Sequence, residues 1–352
     1  MEKQIMVLSG HAMDIRINGG RLKIKDGFPA EEGSVKETYL SRGTNDVDHI
    51  VILGNSGAVT FDAIQWMMEQ NVLVTMLDYT GDVITEFMPQ GHISGITKRR
   101  QATADNAFNM KISAWLLGEK FRQQRFTLQF VSKDFNGYDE GRTSRIDKAI
   151  AISNDRGKAL SGCINSGSQM ILEAQTAAAY WQCFEGIQLN WQKGKVVPEH
   201  WQAIQNRTSP KTGSPRKAID PFNACLNYLY AVLESRTKYF CIKNKIDPDF
   251  GIIHADHQNR ESLIFDLMEP IRPKVDRLLY EWIRYRKLNA KDFFETREGI
   301  CKVMPEIAKE IIPLVKSLDW DISETVKDFA RYFKNGWTET RETIPPIVAC
   351  VL

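Results

Sequence analysis

The chain has 352 residues, 43% of them apolar and 26% charged, with a formal net charge of +2 at pH 7. Such a composition suits a soluble globular protein with room for two domains and a sizeable core. Near-neutral charge excludes bulk attraction to a polyanion, so any DNA-binding surface must come from local clusters. In chain order, the first part is strand-like by period-two alternation. Ile15 and Ile17 alternate with Asp14 and Arg16, and Leu22 and Ile24 with Lys23 and Lys25. Asn18-Gly19-Gly20 between them predicts a tight hairpin turn, because glycine tolerates positive φ. A strand follows at His49–Leu53, then a helix over Ala63–Gln70 with Asp62 as its N-cap. Further strands are predicted at Val72–Leu77 and, past Thr80-Gly81-Asp82, at Val83–Phe87.

Beyond about residue 105 helical periodicity takes over. Helices are predicted at Phe108–Val131, Ser144–Asn154, Ser166–Ile187, Pro221–Lys243, Ser262–Lys287, Pro305–Leu318 and Ile322–Lys334. The fold class is therefore α+β: a β domain over 1–95, a linker over 96–106 and a larger all-α domain over 107–352. The polar, proline-containing stretch Gln205–Asp220 is predicted to be a loop. MEKQIMVLSGH at the start holds no signal-peptide core, and no run approaches the roughly 18 apolar residues of a membrane span. The six cysteines are scattered without any Cys-x-x-Cys pair. This spacing fits reduced thiols in a cytoplasmic setting and argues against structural zinc.

Four residues stand out as candidates for chemistry. Glu173 lies in the helix SGSQMILEAQTAAAYWQCF, and His254 follows the apolar run Phe250–Ile253. Asp266 and Glu269 are three apart in SLIFDLMEP, within one helical turn. Carboxylates with one imidazole suit Mg²⁺ or Mn²⁺. Spacing alone leaves an alternative open: Asp266 and Glu269 lie opposite the stripe Leu263, Leu267, Ile271, Val275, Leu278, which a solvated helix face explains as well. Glu173 reads equally as an exposed helix residue, and His254 with His257 as capping or packing groups. Lys98-Arg99-Arg100, and Lys211, Arg216 and Lys217 in the polar loop, are candidate phosphate contacts, with a solvated linker and loop as the alternative. Trp181, Trp191 and Trp201 raise the question of base stacking, although core packing is the better reading for Trp181. GNSG lacks the lysine of a phosphate-binding loop, so ATP use is not indicated.

Three segments in order, ILEAQTAAAYW, DPFNACLNYLYAVL and GIIHADHQNRESLIFDLMEPIRP, resemble the signature stretches of the CRISPR-associated Cas-one integrases. SGHAMDIRINGGRLKIKDG and ILGNSGAVTFDAIQWMMEQNVLVTMLDYTGDV are similar to that family's β domain. The resemblance covers most of residues 5–300 and fades after about 305. It implies an N-terminal β-sandwich-like dimerisation domain, a linker and a helical catalytic domain. By position, Glu173, His254 and Asp266 match the family's catalytic, metal-binding residues, and Glu269 its more variable second acid. The implied reaction is metal-dependent attack of a DNA 3′-hydroxyl on a target phosphodiester, with weak nuclease activity. The implied partners are donor and target duplex DNA, a second copy of the chain or a larger assembly on DNA, and a Cas-two protein in CRISPR spacer acquisition. Two alternatives accompany that expectation. A casposase, the transposon-borne branch, shares the motifs and commonly adds a C-terminal helix-turn-helix, which ETIPPIVACVL does not suggest. The other is a non-catalytic DNA-binding scaffold.

Overall fold

A computed structural model describes residues 3–27, 35–133, 140–194, 196–207, 217–254 and 261–335. The early elements are β1 (Gln4–Ser9), β2 (Met13–Asn18), β3 (Arg21–Lys25), β4 (Glu37–Leu40), β5 (Val47–Leu53), β6 (Gly57–Val59), α1 (Phe61–Glu69), β7 (Leu73–Leu77) and β8 (Val83–Phe87). They are followed by α2 (Gly95–Ala102), α3 (Asn106–Ser132), α4 (Glu140–Ala159), α5 (Ser166–Gln182), α6 (Pro221–Lys243), α7 (Ser262–Met268) and α8 (Arg272–Arg284). The last are β9 (Phe293–Glu295), β10 (Cys301–Val303), α9 (Pro305–Ile311) and α10 (Asp319–Asn335). Strand sheets followed by a mostly helical region agree with the α+β expectation.

The chain forms two compact units, and neither is one continuous stretch. The first comprises 1–90, 186–235 and 282–316; the second comprises 91–185, 236–281 and 317–352. The linker expected at 96–106 contains α2, capped where the Ser94 side chain accepts from the Thr97 N–H. The region expected to be all-α also carries the antiparallel pair β9–β10. Sequence periodicity is local, so it did not reveal that two later segments fold back into the first unit.

In the first unit, one sheet has the order β1-β5-β7-β8 and the other β4-β3-β2-β6. β1, β5 and β7 run parallel, because α1 supplies the crossover between β5 and β7. Leu8, Ile15, Leu22, Ile24 and Ile50 from the strands share one core with Ala63, Trp66 and Met67 of α1. The β2–β3 hairpin closes over Gly19 and Gly20 at φ 57° and 75°, as the turn chemistry required. Thr60, not Asp62, is the cap residue of α1. Asp62 falls inside the first turn, where its carboxylate accepts the Ala63 N–H at 2.8 Å and complements the helix dipole.

In the second unit, the helix expected over Ser262–Lys287 is two, α7 and α8. Pro270 has no N–H to continue the ladder, and α8 begins two residues later. The expected Pro305–Leu318 helix, in the first unit, is α-helical only to Ile311 and tightens to 3-10 geometry after it. α3 is held to the start of α8 by the Thr127 hydroxyl donating to the Pro273 carbonyl at 2.7 Å. Tyr180 of α5 donates to Asp276 of α8 at 2.8 Å, and Gln169 of α5 donates to the Met110 carbonyl of α3 at 3.1 Å. These bonds fix three helices around the residues described next.

Candidate active site

Asp266 sits one turn into α7 and is wholly buried. Its Oδ2 accepts the N–H groups of Ile252 and Ile253 at 2.5 and 3.0 Å. Its Oδ1 accepts the His254 N–H at 3.1 Å and pairs with His254 Nδ1 at 2.6 Å. A carboxylate offers about four lone-pair directions, and all are taken. Asp266 thus folds the turn around its own side chain and holds the imidazole with Nδ1–H donating. That tautomer leaves the lone pair on Nε2.

Glu269 lies three residues on and is 3% exposed. Arg272 approaches its Oε1 at 2.9 Å, and the Nζ of Lys120 lies 2.5 Å from its Oε2. The second contact is an ion pair outside the geometry of an aligned hydrogen bond. Burial pushes this carboxyl up, but Arg272 and Lys120 outweigh burial and hold it down at about 2, with a smaller contribution from His254. The same Lys120 donates to Glu173 Oε1 at 2.5 Å. Burial lowers the Lys120 ammonium, yet the two carboxylates more than restore it and keep it charged.

Lys120 of α3 thus joins Glu173 of α5 to Glu269 at the C-terminal cap of α7, and the His254–Asp266 pair acts on Glu269 through the charge of the imidazole. The solvated-face reading of Asp266 and Glu269 fails, since both are buried; the apolar stripe is only part of a helix enclosed on several sides. Among the described residues no three His, Cys, Asp or Glu side chains form a ready-made ion cage. An ammonium stands where the two glutamates converge.

Lys120 was missed in the sequence, although a signal exists. Ser113, Leu116, Leu117, Lys120, Gln124, Thr127 and Val131 recur at helical spacing and are all buried, so a lysine sits on the inward face of α3. Arg272 was legible as the i+3 partner of Glu269. Of the expected phosphate contacts, Lys211 and Arg216 lie outside the described residues, as does His257. Lys217 is exposed just before α6. Lys98 pairs with buried Asp247 at 2.8 Å, while Arg99 and Arg100 are exposed on α2. Trp191, half-buried, stacks on buried Trp201 at 6.1 Å with buried Phe293 edge-on to both, a packed aromatic cluster rather than a base-stacking platform.

Residues 6–316 match the family model described as CRISPR associated protein Cas1. A CRISPR-associated endonuclease Cas1 of Archaeoglobus fulgidus is 26% identical over 334 residues, covering 89% of this chain and 88% of the relative. Among solved structures, a casposase bound to integration product superposes with a TM-score of 0.78 at 25% identity, covering 94% of this chain and 90% of that one. A chain of a Cas6-RT-Cas1–Cas2 complex gives 0.71 at 17% identity, covering 95% of this chain and 35% of the other, a likeness of fold.

Proposed function

The chain belongs to the CRISPR associated protein Cas1 family, and from that premise we propose that it is a divalent-metal-dependent DNA integrase that joins 3′-hydroxyl ends to a target duplex. The observation that carries this reading is the meeting of Glu173 and Glu269 on a single cationic nitrogen, with the oriented imidazole of His254 near enough to act electrostatically on Glu269. Those oxygens already surround positive charge, and with an imidazole nitrogen they are the donor set of Mg²⁺ or Mn²⁺. Glu173, Glu269 and His254 Nε2 would hold the ion; Asp266, its lone pairs filled, would orient His254. Outer-sphere carboxylates commonly do this for ligating histidines. When bound, the ion lowers the pKa of the attacking hydroxyl and stabilises the crowded anionic phosphorus. Arg272 and Lys120 add positive charge where the phosphodiester must sit. No ATP is needed, because one phosphodiester replaces another.

The test is joining of a labelled oligonucleotide to supercoiled plasmid with Mn²⁺ or Mg²⁺. Covalent transfer of label is expected from the wild type and none from Glu173→Ala or His254→Ala, with DNA binding retained. Absence of product with either ion would leave only the DNA-binding scaffold.

Spacer acquisition, with a homodimer acting beside a Cas2 partner in the cytoplasm, is the biology we infer from the family. The casposase likeness supports a second reading, in which the chain integrates the ends of its own element. Joining of terminal-inverted-repeat DNA without any Cas2 selects the casposase; dependence on Cas2 and a repeat target selects spacer acquisition.

A further inference from the structure

The ammonium of Lys120 occupies the carboxylate oxygens that a divalent ion would take. Lys120 projects from the buried face of α3 into the slot between α5 and the end of α7, its side chain 9% exposed. Its Nζ lies 2.5 Å from Glu173 and 2.5 Å from Glu269, and Arg272 closes the other oxygen of Glu269. Two carboxylates, Glu173 and Glu269, thus face two cations, Lys120 and Arg272, and these four groups sum to zero. Placing a divalent ion there with both cations unmoved leaves an excess of positive charge, even counting the Asp266 carboxylate paired with His254, which is unfavourable. Arg272 is a planar fork three residues from Glu269 on the same stretch of chain. Lys120 is a compact ammonium on a four-carbon stem, free to swing once its acceptors are taken.

We propose that Lys120 is a positioning residue that holds Glu173 and Glu269 together while no ion is bound, yields their oxygens to a divalent cation, and then pairs with a DNA phosphate. The inference rests on the metal-dependent reading above and adds a coupling to it. Ammonium and ion compete for the same oxygens, so the ion binds weakly on its own. The displaced ammonium seeks an anion, so phosphate and ion bind cooperatively, and linkage makes that cooperativity reciprocal. The site therefore loads fully only when DNA is present.

The experiment is titration of Mn²⁺, followed by electron paramagnetic resonance of the free ion, into the whole protein. It is run with and without a short duplex whose 3′ ends lack the reactive hydroxyl. Wild type, Lys120→Met and Glu173→Gln are compared. Without DNA, Lys120→Met is expected to bind Mn²⁺ about tenfold more tightly than wild type, and duplex should tighten wild type about tenfold but the variant by less than about twofold. Equal affinities of wild type and Lys120→Met in the absence of DNA overturn the role of Lys120. If Lys120→Met does not fold, the wild type alone decides, through acetylation of Lys120 followed by mass spectrometry. Labelling should be slow without ion, several-fold faster with Mn²⁺ alone, and slow again with Mn²⁺ plus duplex; a rate unchanged by Mn²⁺ sinks the proposal. The Glu173→Gln control separates the two ideas. Loss of Mn²⁺ binding there with an inert Lys120 removes only this inference, whereas binding untouched by Glu173→Gln removes the metal site as well.

Discussion

Asp266 and Glu269 are both carboxylates of one helical turn, yet their surroundings assign them different work. Asp266 accepts three backbone N–H groups and the imidazole, so Asp266→Asn places an amide where only acceptors are tolerated. A buried polar mismatch of this kind costs about 1–3 kcal/mol. We expect urea denaturation to show that loss, together with slower joining and Mn²⁺ affinity reduced less than in Glu269→Gln. The opposite order would make Asp266 the ligand. Glu269 also sets a pH dependence. Its folded pKa of about 2 lies below the ordinary 4.5, so the unfolded chain takes up the proton first as pH falls. The stabilisation is complete above about pH 4.5 and is lost as the pH drops towards 2, an effect on the order of 3 kcal/mol. Acid titration of stability should therefore be flatter in Glu269→Gln than in wild type over that window.

Helices matter here for what they hold still. α5 carries Glu173, and its Tyr180 hydroxyl ties it to Asp276 of α8. Tyr180→Phe keeps the ring contacts with Trp181 and Phe184 while removing one donor to a buried acid. A stability loss of about 1–3 kcal/mol is expected, and joining should fall because α5 is less well placed. α2 performs a similar task just before the His254 turn. Gln101 donates to the Asp247 carbonyl at 2.9 Å and accepts the Asp247 N–H at 2.9 Å, which fixes the chain just before the His254 turn. Gln101→Leu leaves both Asp247 backbone groups without these partners. Amide hydrogen exchange across residues 246–254 should accelerate, and unchanged protection there would show that α2 does not brace the turn.

The chain as a whole is assembled from interleaved segments. Lys309 of α9 pairs with Asp26 at 2.7 Å, and Lys316 pairs with Asp48 at 2.5 Å, each joining late chain to early chain within the first unit. Truncation to residues 107–352 would strip the strands to which 186–235 and 282–316 belong. Limited proteolysis should cut that fragment first within 282–316, while the full chain resists there. Local pattern was enough for the β2–β3 hairpin, for both ends of α6 and, through three ordered stretches, for the resemblance that singled out Glu173, His254, Asp266 and Glu269. Those features depend on neighbours within a few residues, where periodicity and turn chemistry act. The tertiary structure alone decided that Lys120 joins Glu173 to Glu269 and that Asp266 spends its lone pairs on the His254 turn. It alone decided, too, that late segments complete the first unit. Such pairings form between residues far apart in the chain, and burial and charge compensation in the folded state select them, which no local repeat encodes.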